Sequence, residues 1–196
     1  MEKIDCREFM QSRMFYEKVA ELSAAAGQIH ADVNQKYDDK PYIYHLLMVK
    51  DFTIKYLPYV CDEVDDVIPI VFGALFHDTI EDARLTYNDV RVIAMNYMTS
   101  NQSYRAAEIV YALTNEKGRN RHERANDKYY QGIRESLYAP LVKAADRLAN
   151  YTYAKSIHSR MEKCYQEEMK DFVKSALTSE NGDYLVPQEM IDELFM

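Results

Sequence analysis

The sequence predicts an all-α protein. Five glycines and five prolines in 196 residues leave few points at which a β-rich chain could turn. Apolar residues recur at three- and four-residue intervals along most of the chain. No segment reads convincingly as a strand. Together these point to a helical bundle of about nine helices in one domain spanning residues 1–196, with no repeat, low-complexity tract or linker to divide it.

The elements follow in order. Phe9, Tyr16, Val19, Ala20 and Leu22 place a first helix over about Cys6 to Ala31. After the Pro41 break, Leu46, Leu47, Val49, Phe52, Ile54 and Leu57 give a second, from about Ile43 to Val60. The segment from about Val64 to Ile80 is apolar nearly all round, which requires a central, buried helix. Thr86 and Asp89 have the spacing of a capping box, and the helix they open carries Val90, Ile93, Ala94 and Tyr97. Further helices are predicted over about Ser103 to Leu113 and Arg119 to Ser136. Pro140 suits the first turn of a long helix reaching about Ser156. Met161 to Leu177 is amphipathic, and Pro187 opens a short final helix.

Composition narrows the function classes. With 47% hydrophobic residues the chain can bury a core, and a net charge of -8 opposes binding to nucleic acid or an anionic membrane. Cys6, Cys61 and Cys164 are odd in number and lack a CxxC, the pattern of reduced thiols. The charged N-terminus has no apolar signal core, and the longest apolar run, Val67 to Phe76, is too short to span a bilayer. The expectation is a soluble, cytoplasmic protein.

The phosphate-cradling GxxxxGK[ST], the GxGxxG of dinucleotide folds and the GxSxG of hydrolases are all missing. The concentrated chemistry lies in Phe76-His77-Asp78-Thr79-Ile80-Glu81-Asp82, at the end of the most apolar helix. If the helix continues, His77 stacks over Glu81 and Asp78 over Asp82, directing four ionisable groups toward one small volume. Carboxylates so crowded repel unless a proton or cation compensates. A helix end rich in acidic residues is the other reading of this segment taken alone. Two companions favour a metal: His45, early in the second helix, and Asp146, on the otherwise apolar face formed by Leu141, Val142, Ala145, Leu148 and Ala149. A salt bridge from Asp146 to Lys143 or Arg147 is the alternative there. His45, His77, Asp78 and Asp146 offer imidazole and carboxylate donors suited to manganese, iron or zinc.

In order and spacing, this set resembles the HD phosphohydrolase superfamily, and the flanking residues resemble the (p)ppGpp hydrolase domain of RelA/SpoT-type proteins and their small stand-alone relatives. Lys40-Pro41-Tyr42-Ile43-Tyr44-His45 resembles the segment with the first metal histidine. Ala74 to Asp82 resembles the one with two further ligands and a catalytic acidic pair, and Val142 to Asn150 the one with the last ligand. Leu113-Thr114 matches a further pair, and the resemblance spans about residues 24–175. It implies a helical fold and one divalent ion, usually Mn²⁺ with Fe²⁺ or Zn²⁺ as alternatives, held by His45, His77, Asp78 and Asp146. It also implies that Glu81 and Asp82 orient the attacking water and shuttle its proton as pyrophosphate leaves the 3′ position of (p)ppGpp. The implied partner is a small nucleotide, not nucleic acid or membrane, and homo-oligomerisation is left open.

Departures fall on the nucleotide side. Where the family has Arg-Lys before its Pro-Tyr, this chain has Lys36-Tyr37, able to supply charge or stacking but not a guanidinium. Leu46 stands where Pro is frequent, and Tyr151-Thr152-Tyr153 replaces Met/Leu-Arg-Thr. Asn150, Lys36, Tyr37, Lys117, Arg121 and Lys143 are the candidate substrate contacts. Thr114 to Lys128 carries Lys117, Arg119, Arg121, Arg124 and Lys128 against Glu116, Glu123 and Asp127. That local reversal of charge reads either as a phosphate attractor or as a solvated, salt-bridged helix. Two alternatives to (p)ppGpp hydrolysis follow: an HD-type phosphatase or nucleotidase for another nucleotide such as NADPH or a nucleoside monophosphate, and a non-catalytic nucleotide-binding regulator. His30 reads as a packed histidine or as one supporting the ligands from behind.

Overall fold

The computed structural model describes residues 5–196, apart from the side chains of Arg121 and His122. The protein is helical as predicted, with twelve α-helices among the described residues instead of about nine, because three expected helices are each divided in two, two of them by an internal N-cap and one by a turn. Asp5 accepts from the Glu8 N–H and opens α1 (Cys6–Met10). Ser12 accepts from the Phe15 N–H and opens α2 (Arg13–Asp32). A second N-cap inside one apolar pattern restarts the helix.

The expectation of no strand is corrected by a small hairpin. β1 (Lys36–Tyr37) pairs antiparallel with β2 (Lys40–Pro41), Lys36 opposite Pro41 and Tyr37 opposite Lys40. Asp38 at its tip adopts φ 53°, the left-handed region that aspartate tolerates. Two residues per strand are too few to show alternation in a sequence.

α3 (Ile43–Tyr56) runs into a 3₁₀ turn (Leu57–Tyr59). α4 (Val64–Phe76), α5 (Thr79–Asp82), α6 (Tyr87–Ala94) and α7 (Ser100–Leu113) follow. The Thr86–Asp89 capping box forms as expected, and Thr99 with Gln102 forms another. The helix expected over about Arg119 to Ser136 is split into α8 (Arg121–Arg124) and α9 (Asp127–Glu135), the second opened by Asn126 accepting from the Tyr129 N–H. α10 (Ala139–Ser156) carries Pro140 in its first turn, and α11 (Arg160–Ala176) and α12 (Gln188–Leu194) complete the chain.

α4 is the central helix. Every residue from Asp66 to Phe76 is buried, and α2, α3, α7 and α10 pack around it. Pro69, inside α4, cannot donate to the Asp65 carbonyl one turn back. That carbonyl accepts instead from Gln102 Nε2 at 3.0 Å and Arg105 Nη2 at 3.4 Å, both on α7. The break in the ladder thus becomes a link between two helices. Gly73 lets α7 approach closely, since a Cβ there would lie 2.5 Å from Ile109 Cγ2. Gly73→Ala is therefore expected to destabilise the protein by about 1–3 kcal/mol through overpacking. Thermal unfolding checks this, because the better helix propensity of alanine alone predicts the opposite sign.

Candidate metal centre

Three elements meet at the C-terminal end of α4. His45 lies in the first turn of α3, His77 and Asp78 occupy the turn between α4 and α5, and Asp146 is midway along α10, which packs on α3. α4 stops at Phe76: the Phe76 carbonyl accepts from Thr79 Oγ1 at 2.7 Å, and Asp78 leaves helical geometry at φ -98°, ψ 1°.

One ring nitrogen each of His45 and His77 and an Asp146 carboxylate oxygen lie within 4.8 Å of one another, a grouping able to hold a metal ion. Asp146 Oδ1 is 3.4 Å from His45 Nε2 and 3.8 Å from His77 Nε2. Asp78 Oδ2 is 2.9 Å from His77 Nε2 and 3.8 Å from His45 Nε2. Donors on one ion with bonds of about 2.1 Å sit about 3.0–3.4 Å apart, so these spacings need only small adjustments. Asp78 Oδ2 also accepts from the Tyr42 hydroxyl at 2.5 Å. His77 Nδ1 lies 3.0 Å from the Ala74 carbonyl, which can only accept. Nδ1 therefore carries a proton, and Nε2 faces the carboxylates of the cluster.

The electrostatics agree. Burial pushes the Asp146 carboxyl up, but Lys143 and the two histidines outweigh it and hold it well below the usual range. Burial likewise opposes ionisation of Asp78, and His77 beside it prevails, keeping Asp78 low. The same pairing, with Asp146, overcomes the burial of His77 and lifts its imidazolium to about 9. Binding a cation through Nε2 displaces that proton.

Across the turn at His77–Asp78, Asp82 stays one helical turn beyond Asp78, its backbone N–H donating to the Asp78 carbonyl at 2.8 Å. Glu81 points to the loop after α7, where its Oε1 accepts from the Asn115 backbone N–H at 2.7 Å and its Oε2 from Asn115 Nδ2 at 2.9 Å. Asp82 receives Gln35 Nε2 at 3.2 Å. Burial, together with Asp78 nearby, raises the Asp82 carboxyl to about 6. Both readings of Asp146 meet in one geometry, since Lys143 Nζ lies 3.0 Å from Asp146 Oδ2 while Oδ1 faces the histidines. Arg147 pairs with Glu168 instead. Lys36 and Lys117 are exposed, Tyr37 and Asn150 are half-buried and bonded to each other at 2.9 Å, and the Arg121 side chain lies outside the described residues. In the basic segment, Arg119 pairs with Glu123 and Lys128 with Glu116, as a salt-bridged surface would. A cavity of about 690 Å³ between α4, α7 and α9 is bordered by Asn115 and Lys117 but by none of the clustered donors.

Tyr42, Asn115 and Gln35 were not singled out by sequence reasoning, because their contacts depend on partners 36, 34 and 47 residues away. His30 is fully buried with both ring nitrogens unpartnered, its ring stacked on Tyr42 at 4.5 Å. Burial lowers its pKa to about 4 from 6.5. The unfolded chain therefore takes up the proton first, and the stability that neutral His30 contributes is complete above pH 6.5 and lost as pH falls toward 4. In denaturant unfolding, the difference between the parent and His30→Phe is expected to change by about 2 kcal/mol between about pH 7 and 5.

A predominantly helical bundle thus brings imidazole and carboxylate donors together at the end of its central helix. The fold is similar to that of a metazoan ortholog of SpoT that hydrolyzes ppGpp and plays a role in starvation responses, with 21% identity, coverage of 91% of this chain and 93% of that chain, and a TM-score of 0.63. No family model and no curated protein sequence matches the chain. Among the described residues, no helix is long and apolar enough to cross a membrane.

Proposed function

We propose that this protein is a metal-dependent HD-type phosphohydrolase that releases pyrophosphate from the 3′ position of (p)ppGpp. The observation that carries the reading is the convergence of His45, His77 and Asp146 at the end of α4, within a fold like that of a ppGpp hydrolase. His45, His77, Asp78 and Asp146 would hold the ion, for which Mn²⁺ is the proposed identity. When bound, such an ion lowers the pKa of water and polarises a phosphoryl oxygen.

The remaining work falls to the chain. Asp82, close to the donors and titrating near 6, accepts the proton of the attacking water and returns it to the departing oxygen. Glu81, pinned by Asn115, is a fixed anion that ties α5 to the segment bearing Lys117 and Arg121. That segment and Lys36 supply positive charge for a highly anionic substrate, while Lys143 steadies Asp146. No activated serine or cysteine is required, since water attacks directly.

The test is a nucleotide panel (ppGpp, pppGpp, NADPH and nucleoside monophosphates) with Mn²⁺, reading phosphate and pyrophosphate separately. Mn²⁺-stimulated pyrophosphate release from ppGpp is the expected result, and ppGpp left intact over hours overturns the substrate assignment. A second reading, the same site acting on another nucleotide, is favoured by the Tyr37 ring lying on His45 at 4.8 Å, which engages a residue otherwise available to stack on a base. Turnover by any substrate that disappears in Asp82→Asn excludes a non-catalytic regulator.

A further inference from the structure

Two residues of the site are distinguished by what holds them. The first is His45. A histidine that binds a metal usually has its other ring nitrogen held by a carbonyl or carboxylate, which fixes the ring. His77 has that support in the Ala74 carbonyl at 3.0 Å, whereas His45 Nδ1 is buried without a hydrogen-bond partner. The orientation of His45 must come from packing. The Tyr37 ring lies nearly parallel to it, with centroids 4.8 Å apart and planes at 17°, and Tyr42 meets it edge-on at 5.5 Å.

The second is Asn150. Its Nδ2 donates to the Asp146 carbonyl at 3.0 Å and to Asp146 Oδ1 at 2.6 Å. Both partners are acceptors, so the amide nitrogen must face Asp146 and the amide oxygen must face away. There Asn150 Oδ1 accepts from the Tyr37 hydroxyl at 2.9 Å. Asp146 Oδ1 is the oxygen nearest His45 Nε2, and Oδ2 is taken by Lys143 at 3.0 Å. One donor therefore fixes each oxygen of Asp146, and the donor on the inward oxygen is itself fixed by Tyr37.

We infer that Tyr37 is a positioning residue for the metal centre, its hydroxyl orienting Asp146 through Asn150 and its ring seating His45. The inference rests on the metal reading proposed above. Tyr153, with its ring centroid 4.7 Å from that of Tyr37, holds the side chain in place. A residue on a two-residue strand thus links donors on α3 and α10 that the helices alone bring only into proximity.

Mn²⁺ affinity, measured by titration calorimetry and by loss of the free-ion EPR signal without any nucleotide, tests this. Tyr37→Phe keeps the ring and removes the hydroxyl, and its Kd is expected to rise about tenfold; Tyr37→Leu removes both and should raise it by about a hundredfold. Because the hydroxyl acts through Asn150, adding Tyr37→Phe to Asn150→Ala should cause no further loss. A purely structural role would lower the melting temperature and leave Kd and the double-mutant comparison unmoved. Parental affinity in folded Tyr37→Phe, or additive losses in the double variant, overturns the positioning role alone. A parent protein that binds no Mn²⁺ overturns the metal reading and this inference with it.

Discussion

Asp146→Asn is expected to strip the protein of its divalent ion and to lower turnover at least ~10³-fold, the equivalent of about 4 kcal/mol. The substitution is nearly isosteric but removes the anionic donor that faces both histidines, at 3.4 and 3.8 Å. It also leaves the Lys143 ammonium without the carboxylate it meets at 3.0 Å, so a stability loss of about 3 kcal/mol should accompany the loss of metal. Elemental analysis of the purified variant, circular dichroism and the pyrophosphate assay separate these effects. A folded Asp146→Asn protein with the parental metal content would sink the assignment of Asp146 as a ligand.

Asp82→Asn should behave differently, keeping the metal while turnover falls ~10²–10⁴-fold, the usual worth of general acid–base catalysis. The pH profile gives a sharper test. Asp82 must be ionised to accept a proton, and its carboxyl is raised to about 6 by burial and by Asp78. The parental kcat/KM is therefore expected to fall about tenfold per pH unit below about pH 6, and the residual rate of the variant should lack this limb. The linkage to stability has the opposite sign to that of His30. Protonated Asp82 is favoured in the folded state, so its contribution is present at low pH and is lost as pH rises through about 6. A parental profile flat from pH 5 to 8 assigns the proton transfer to another group.

Much of the fold was legible because its causes are local. The all-round apolarity from Val64 onward marked the central helix, the Thr86–Asp89 spacing marked a capping box, and Pro140 marked the start of α10; each depends on neighbours a few residues apart. The donors of the site were legible as residue types at telling positions, since a lone carboxylate among Leu141, Ala145 and Leu148 needs a partner. Their geometry was not. Periodicity carried the α4 helix through to Ile80, whereas Thr79 bonds back to the Phe76 carbonyl and the chain turns at His77–Asp78. Beyond that turn Glu81 is bonded to Asn115, 34 residues on. The Lys36–Tyr37 strand escaped notice because its partner strand is as short as itself.

By itself, then, the sequence determined a predominantly helical chain with a buried central helix, and the imidazole and carboxylate donors available to a site. Helix periodicity and side-chain chemistry are properties of short stretches and of single residues. Only the tertiary structure decided which donors converge and what holds them. It brings His45, His77 and Asp146 within 4.8 Å of one another, bonds Glu81 to Asn115, and runs Tyr37 through Asn150 to Asp146. These relations join residues up to 113 positions apart, and packing between helices, not spacing along the chain, sets their distances.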